Sequence, residues 1–157
     1  LNIAQTNIHA YVFGEHGDTS FIPWSGAYVS GVSLDEYYET VEKMGRNVTK
    51  IDKDAMLEYV RTSGGQVIAN KGATFYAVSV AVCKLVATIL SSSDSVATVS
   101  SMMHGEYGIE DVCLSTLTLV GPKGVQGKIP MRMTKEEVEK LKASADALKA
   151  VIAQIEH

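Results

Sequence analysis

Residues 96–120, VATVSSMMHGEYGIEDVCLSTLTLV, decide the fold. They hold two β-rich runs, 96–104 and 112–120, joined by a turn containing Gly105 and Gly108, and so read as an antiparallel pair. Gly121, Pro122, Lys123 and Gly124 mark a second turn, which leads to a short return strand over 125–129. Such a meander, with long helices on either side of it in the chain, is α+β: antiparallel strands with long flanking helices rather than a doubly wound parallel sheet.

Toward the carboxyl end, Thr134 and Glu137 have capping-box spacing, and Val138, Leu141, Ala145, Leu148, Ile152 and Ile155 recur at alternating steps of three and four. A repeat of only about three heptads, with alanine at an apolar position, is expected to pack on the domain's own sheet rather than form a coiled coil. Toward the amino end, residues 75–90 are almost wholly apolar apart from Lys84. A helix of that length spans about 24 Å, short of a bilayer core, so a buried core helix is expected there.

Before it, Asp52 is a natural N-cap for a helix with Met56, Val60, Val67 and Ile68 on one face and Gly72 at its end. Gly64 and Gly65 interrupt that pattern at about 1 kcal/mol each relative to alanine, for which close packing or a bend is the expected reason. Ser33 and Glu36 form another capping box ahead of Tyr37, Val41 and Met44, predicting an amphipathic helix over 34–44 after a short strand at 27–32.

A chain of 157 residues with 46% hydrophobic content can bury one substantial core, so a single domain is expected. The net charge is −4 and no dense Lys/Arg cluster is present to neutralise a row of phosphates, which argues against nucleic acid. Cys83 and Cys113 stand in apolar context and are too few for a disulfide framework; no Cys/His spacing matches a zinc site, and a reducing cytosol is expected. The sequon Asn47-Val48-Thr49 reads as chance, since Leu1 opens neither a signal peptide nor an initiator-methionine start. A cut end with something upstream is the expectation. No GxGxxG fingerprint occurs in these residues.

Residues 9–24, HAYVFGEHGDTSFIPW, hold the candidate chemistry. The aromatic and β-branched residues 9–13 read as a buried strand. Gly14 and Gly17 then flank His16, which puts an imidazole on a tight turn at a strand end. A histidine, with an ordinary pKa of about 6.5, exchanges protons near neutrality. His16 is thus a candidate acid/base, the plainer alternative being a hydrogen-bonded turn residue. Thr74, at the start of the apolar helix, is either an N-cap or a ligand-binding hydroxyl.

The run from Gly14 to Thr19, followed by Pro23, Trp24 and Ser25, resembles the GEHGD(T/S)…PVWS block of the L-lactate dehydrogenases. Lys71, Gly72, Ala73 and Thr74, with Phe75 and Tyr76, resemble that family's KGAT segment, and the closing helix is similar too. The likeness runs the length of the chain but covers only the carboxyl-terminal half of such an enzyme. It implies that residues 1–157 are a substrate-binding and catalytic domain, with the amino-terminal dinucleotide-binding domain absent. By the same resemblance NAD is the cofactor and pyruvate/lactate the substrate pair, in a cytoplasmic, glycolytic homotetramer. His16 would be the acid/base, Thr74 would line the substrate pocket, and Val78 would lie against the nicotinamide.

The family's orienting aspartate and carboxylate-gripping arginine belong to a D-x-x-R motif upstream of this chain. None of Arg46, Arg61 and Arg132 matches that motif; Asp18 is expected to make a loop hydrogen bond, and the role of Glu15 is left open. His9, seven residues before His16, falls where sugar-bisphosphate-activated members carry a histidine, which implies an allosteric fructose 1,6-bisphosphate site. Malate dehydrogenase or another 2-hydroxy acid dehydrogenase is the alternative, with Glu15 and Thr74 favouring the lactate type. A different alternative is a binding and assembly domain that is inert by itself.

Overall fold

The computed structural model describes residues 1–155. In chain order it runs β1 (Ile8–His9), β2 (Tyr28–Val29), β3 (Val32–Ser33), α1 (Leu34–Lys43), α2 (Lys53–Lys71) and α3 (Tyr76–Leu90), then β4 (Ser95–His104), β5 (Glu110–Gly121), β6 (Gly124–Lys128) and α4 (Lys135–Ile155). The architecture is α+β. β5 is central in an antiparallel sheet of order β4-β5-β6, with Val99 opposite Thr116 and Leu119 opposite Gly127. Gly105 and Gly108 both take positive φ in the β4–β5 turn, a conformation that spares glycine the Cβ clash other residues meet.

The main core lies between this sheet, the segment leading to His16 and the first half of α4. Met103 and Leu114 from the sheet meet Phe13 and Leu141 there, all essentially without exposed surface. Each such side chain contributes about 1.5–3 kcal/mol by leaving water. The capping box at the start of α4 is present: Thr134 Oγ1 accepts from Glu137 N at 3.2 Å, and the Glu137 carboxylate accepts from Thr134 N at 2.8 Å. Tyr107 clamps the approach to that helix, accepting from Met131 N at 2.7 Å and donating to Met131 O at 3.0 Å. The seam of α4 packs on the domain's own sheet through Leu141 and Ala145, while Ile152 and Ile155 extend beyond it and are exposed.

Several expectations are corrected. Residues 9–13 do not form one strand: His9 pairs with Tyr28 of β2, whereas Phe13 forms an isolated bridge with Phe21, so the chain changes partner between them and Val12 is exposed. The run 27–32 is a hairpin rather than a single strand. Ser30 and Gly31 both have positive φ, which gives a tight reversal between β2 and β3. α1 begins with its capping box, but the buried face is Leu34, Tyr38 and Val41, and Met44 lies outside it at the C-cap.

α2 starts at Asp52, whose carboxylate accepts from Asp54 N and Ala55 N, and it runs unbroken through Gly64 and Gly65. Among the described residues nothing stands within 4 Å of where a Cβ on either glycine would be, so no close packing there explains them. The larger correction concerns α3, which is not a buried core helix. None of its residues is buried, and neither is any residue of α2. Val78, Val80, Val82, Val86 and Leu90 are all exposed. Cys83 and Cys113, expected in apolar surroundings, are free thiols at the surface.

Candidate active site

His16 stands on a loop that the fold fastens at several points. Phe13 and Phe21 close its base by exchanging backbone hydrogen bonds of 2.9 and 3.0 Å, and their rings meet edge to face at 6.4 Å. One residue further on, Gly14 exchanges two backbone bonds, of 3.0 and 2.9 Å, with Ser115 on the central strand β5. The loop is thereby hung from the middle of the sheet. On the α2 side, Arg61 donates through Nε and a terminal guanidinium nitrogen to the Ser20 carbonyl. On the α4 side, Ser144 Oγ accepts from Glu15 N at 2.8 Å.

Within the loop, Glu15 Oε1 accepts from Thr19 Oγ1 at 2.6 Å and from Thr19 N at 3.1 Å, while the Thr19 and Ser144 hydroxyls lie 3.0 Å apart. The Thr19 hydroxyl, then its backbone N–H, hold the Glu15 carboxyl below its ordinary pKa, against a smaller opposing effect of burial and with slight help from His16. Glu15 therefore bears the loop's hydrogen bonds and stays ionised. Asp18, expected in that role, is exposed and makes no side-chain hydrogen bond among the described residues.

The imidazole is held on a fixed loop but is itself unengaged, as is the Asp18 carboxylate: His16 is exposed, and no described group is hydrogen-bonded to its ring. Such a ring is able to reach a small molecule and pass it a proton. Immediately downstream, Ser25 of the Pro-Trp-Ser segment donates from N at 3.0 Å and from Oγ at 2.5 Å to the Glu137 carboxylate, which fixes that segment against the start of α4.

The other nominated residues lie apart from this network. Thr74 is exposed and does not cap α3; Phe75 is the N-cap, without a side-chain bond. The hydroxyl of Thr74 is thus uncommitted among the described residues. Val78 is exposed on the first turn of the same helix. His9 is exposed on β1, in the small sheet β1-β2-β3. Among the described residues no three His, Cys, Asp or Glu side chains group in a way that could hold a metal ion. No helix among them is long and apolar enough to cross a membrane.

All 157 residues match the sequence profile of the lactate/malate dehydrogenase α/β C-terminal domain. The chain belongs to the lactate/malate dehydrogenase family. It is 37% identical over 156 residues to an L-lactate dehydrogenase of Acetivibrio thermocellus, covering 99% of the chain and 48% of the relative. With an L-lactate dehydrogenase of Thermoanaerobacterium saccharolyticum it shares 40% identity over 155 residues, covering 99% and 49%. A solved L-lactate dehydrogenase from Clostridium thermocellum superposes with a TM-score of 0.84 at 34% identity, over 99% of this chain and 49% of that one. The chain thus spans about half the length of the curated relatives it matches.

Sequence reading singled out the GEHGDT turn but missed what fastens it. Arg61 gave no signal, since a charged residue on a helix is ordinarily solvated. Ser144 did give one: it interrupts the apolar face between Leu141, Ala145 and Leu148, where a small polar residue needs a buried partner.

Proposed function

We propose that this chain is the substrate-binding and catalytic domain of a cytoplasmic, NAD-dependent L-lactate dehydrogenase, with His16 as its acid/base. The supporting observation is the exposed His16 ring on a loop fastened to β5, α2 and α4, among relatives named L-lactate dehydrogenase. Reduction of pyruvate requires a proton at the carbonyl oxygen as negative charge develops there. Protonated His16 donates to that oxygen, polarising the carbonyl beforehand; in the reverse direction the neutral ring removes the hydroxyl proton of lactate.

The nicotinamide cofactor, when bound, would supply the hydride as NADH and accept it back as NAD⁺. The residues present fit only part of that cofactor: Val78 offers an exposed apolar side chain suited to the nicotinamide face, while no glycine-rich phosphate loop is available here. Thr74, exposed and not used as a cap, has a hydroxyl to give to the substrate. The dinucleotide-binding domain is, in this reading, a separate part of the protein. The exposed apolar residues of α2 and α3 support further protein surface against them, in keeping with a homotetramer.

His9 is the proposed histidine of an allosteric fructose 1,6-bisphosphate site, its exposure on β1 being compatible with an anion. Glycolytic pyruvate is the substrate this regulation would serve. The deciding experiment for the catalytic reading is His16→Asn in the full-length protein: turnover falls at least about 100-fold while NADH affinity is kept. Turnover near that of wild type would defeat the assignment.

A further inference from the structure

We propose that Ser144, on the carboxyl-terminal helix, is a positioning residue for the His16 imidazole: with Glu15 and Thr19 it closes a hydrogen-bond circuit that sets the turn presenting the ring. This rests on the reading of His16 as the acid/base.

Counting protons gives the circuit its direction. The Thr19 hydroxyl has one proton, and the nearest acceptor for it is the ionised Glu15 carboxylate at 2.6 Å. Ser144 is therefore the donor across the 3.0 Å gap to Thr19, and its oxygen accepts the Glu15 N–H at 2.8 Å. The Thr19 N–H adds a further bond to the same carboxylate oxygen at 3.1 Å. Every donor meets an acceptor, and the chain of bonds ends on a full negative charge, which strengthens each link.

The circuit grips the backbone just before and just after His16. Glu15 N immediately precedes the histidine and Thr19 follows three residues after it, while the ring itself takes no part in the circuit. Only Ser144 comes from outside the loop, 129 residues away from Glu15. The backbone bonds of Gly14 to Ser115 and the Arg61 bonds to Ser20 hold the two ends of the loop, and Ser144 ties the Glu15–Thr19 pair between those ends to α4.

Two further observations belong to the same arrangement. A Cβ on Gly14 would come within 2.6 Å of Ser144 Oγ, and one on Gly17 within 3.0 Å of Glu15 Oε1. Gly17 does not have positive φ, so a side chain there would be tight only against the Glu15 carboxylate, which would have to give by a few tenths of an ångström. Ser144 itself has no exposed surface and sits beside Leu141 and Ala145, where alanine would pack without needing a partner. A buried hydroxyl in an apolar helix face is costly unless bonded, and its bonds here all go to the catalytic turn.

The test uses the full-length protein and the variants Ser144→Ala, Thr19→Val and Thr19→Ser, with His16→Asn as reference. Turnover is expressed per NADH-binding site, counted by fluorescence titration, so that misfolded protein drops out. A reacting group misplaced by about 1 Å loses on the order of 100-fold in rate. Ser144→Ala and Thr19→Val are accordingly expected to lower kcat at least about tenfold with NADH affinity unchanged, and Thr19→Ser to restore it to within about threefold. Should Ser144→Ala fail to fold, Thr19→Val decides, because Thr19 lies on a surface loop.

The rate at which diethyl pyrocarbonate modifies His16, read by peptide mass spectrometry, follows the presentation of the ring without reference to turnover. It should change in both hydroxyl-deleting variants and return in Thr19→Ser. Unaltered kcat per site together with unaltered modification of His16 would overturn the positioning role. A wild type that does not reduce pyruvate, or a His16→Asn variant that does so normally, would defeat the functional reading instead and leave the circuit to be judged by the modification rate.

Discussion

Glu137 joins the Pro-Trp-Ser segment to the helix that holds the His16 turn, so removing its carboxylate should loosen both. It is 8% exposed and accepts three hydrogen bonds from beyond its own residue: Ser25 N at 3.0 Å, Ser25 Oγ at 2.5 Å and Thr134 N at 2.8 Å. Bonds to an ionised acceptor contribute about 1.5–3 kcal/mol each. The full sum is not lost on substitution, because Ser25 and Thr134 are at the surface and water can reach the donors set free. Glu137→Ala is therefore expected to cost about 3 kcal/mol, and Glu137→Gln, which retains one acceptor, about half of that. In a chain of this length that is a fall of about 6–12 °C in Tm for the alanine variant.

The pH dependence gives a sharper check. Burial raises the pKa of Glu137, but the bonds from Ser25 and Thr134 outweigh it and bring the carboxyl below its ordinary 4.5. A folded-state value depressed in this way contributes stability that is complete above the unfolded-state value and is lost as pH falls through the folded one. The gap between wild type and Glu137→Gln should thus be equal near pH 7 and pH 5.5 and shrink only below about 4.5. Urea unfolding followed by the fluorescence of Trp24, the chain's one tryptophan and the neighbour of Ser25, measures it. A gap under about 0.5 kcal/mol near pH 7, or one already closed at pH 5.5, would refute the reasoning.

Fructose 1,6-bisphosphate should lower the apparent KM for pyruvate of the full-length protein, and His9→Gln should abolish most of the response; pyruvate saturation curves decide this. The 157-residue chain alone should show no saturable micromolar binding in an NADH fluorescence titration, as it has no phosphate-cradling loop. Gly14→Ala should destabilise the fold by about 2–3 kcal/mol through its positive φ and the contact with Ser144, and Ser144→Ala in the same chain should recover part of that loss in urea denaturation.

What could be read from the sequence, and what could not, divides along a physical line. Local hydrogen bonding is encoded within a few residues, so the capping boxes at Ser33 and Thr134, the Asp52 N-cap and the glycine stop at Gly72 all appear where the spacing predicts. The β4–β5–β6 meander was legible for the same reason, its turns being marked by glycine and its strands by β-branched residues. Burial is another matter. Hydropathy records that a face will leave water somewhere, not what covers it, and α3 is as apolar as a core helix while lying exposed among the described residues. The candidate site shows the same division at smaller scale. The GEHGDT turn is a local pattern and stood out at once, but the groups fastening it come from Ser115, Arg61 and Ser144, each distant in sequence. Only the third left a trace, as a hydroxyl set among Leu141, Ala145 and Leu148, and it is this misfit with its own helix face that ties α4 to the His16 turn.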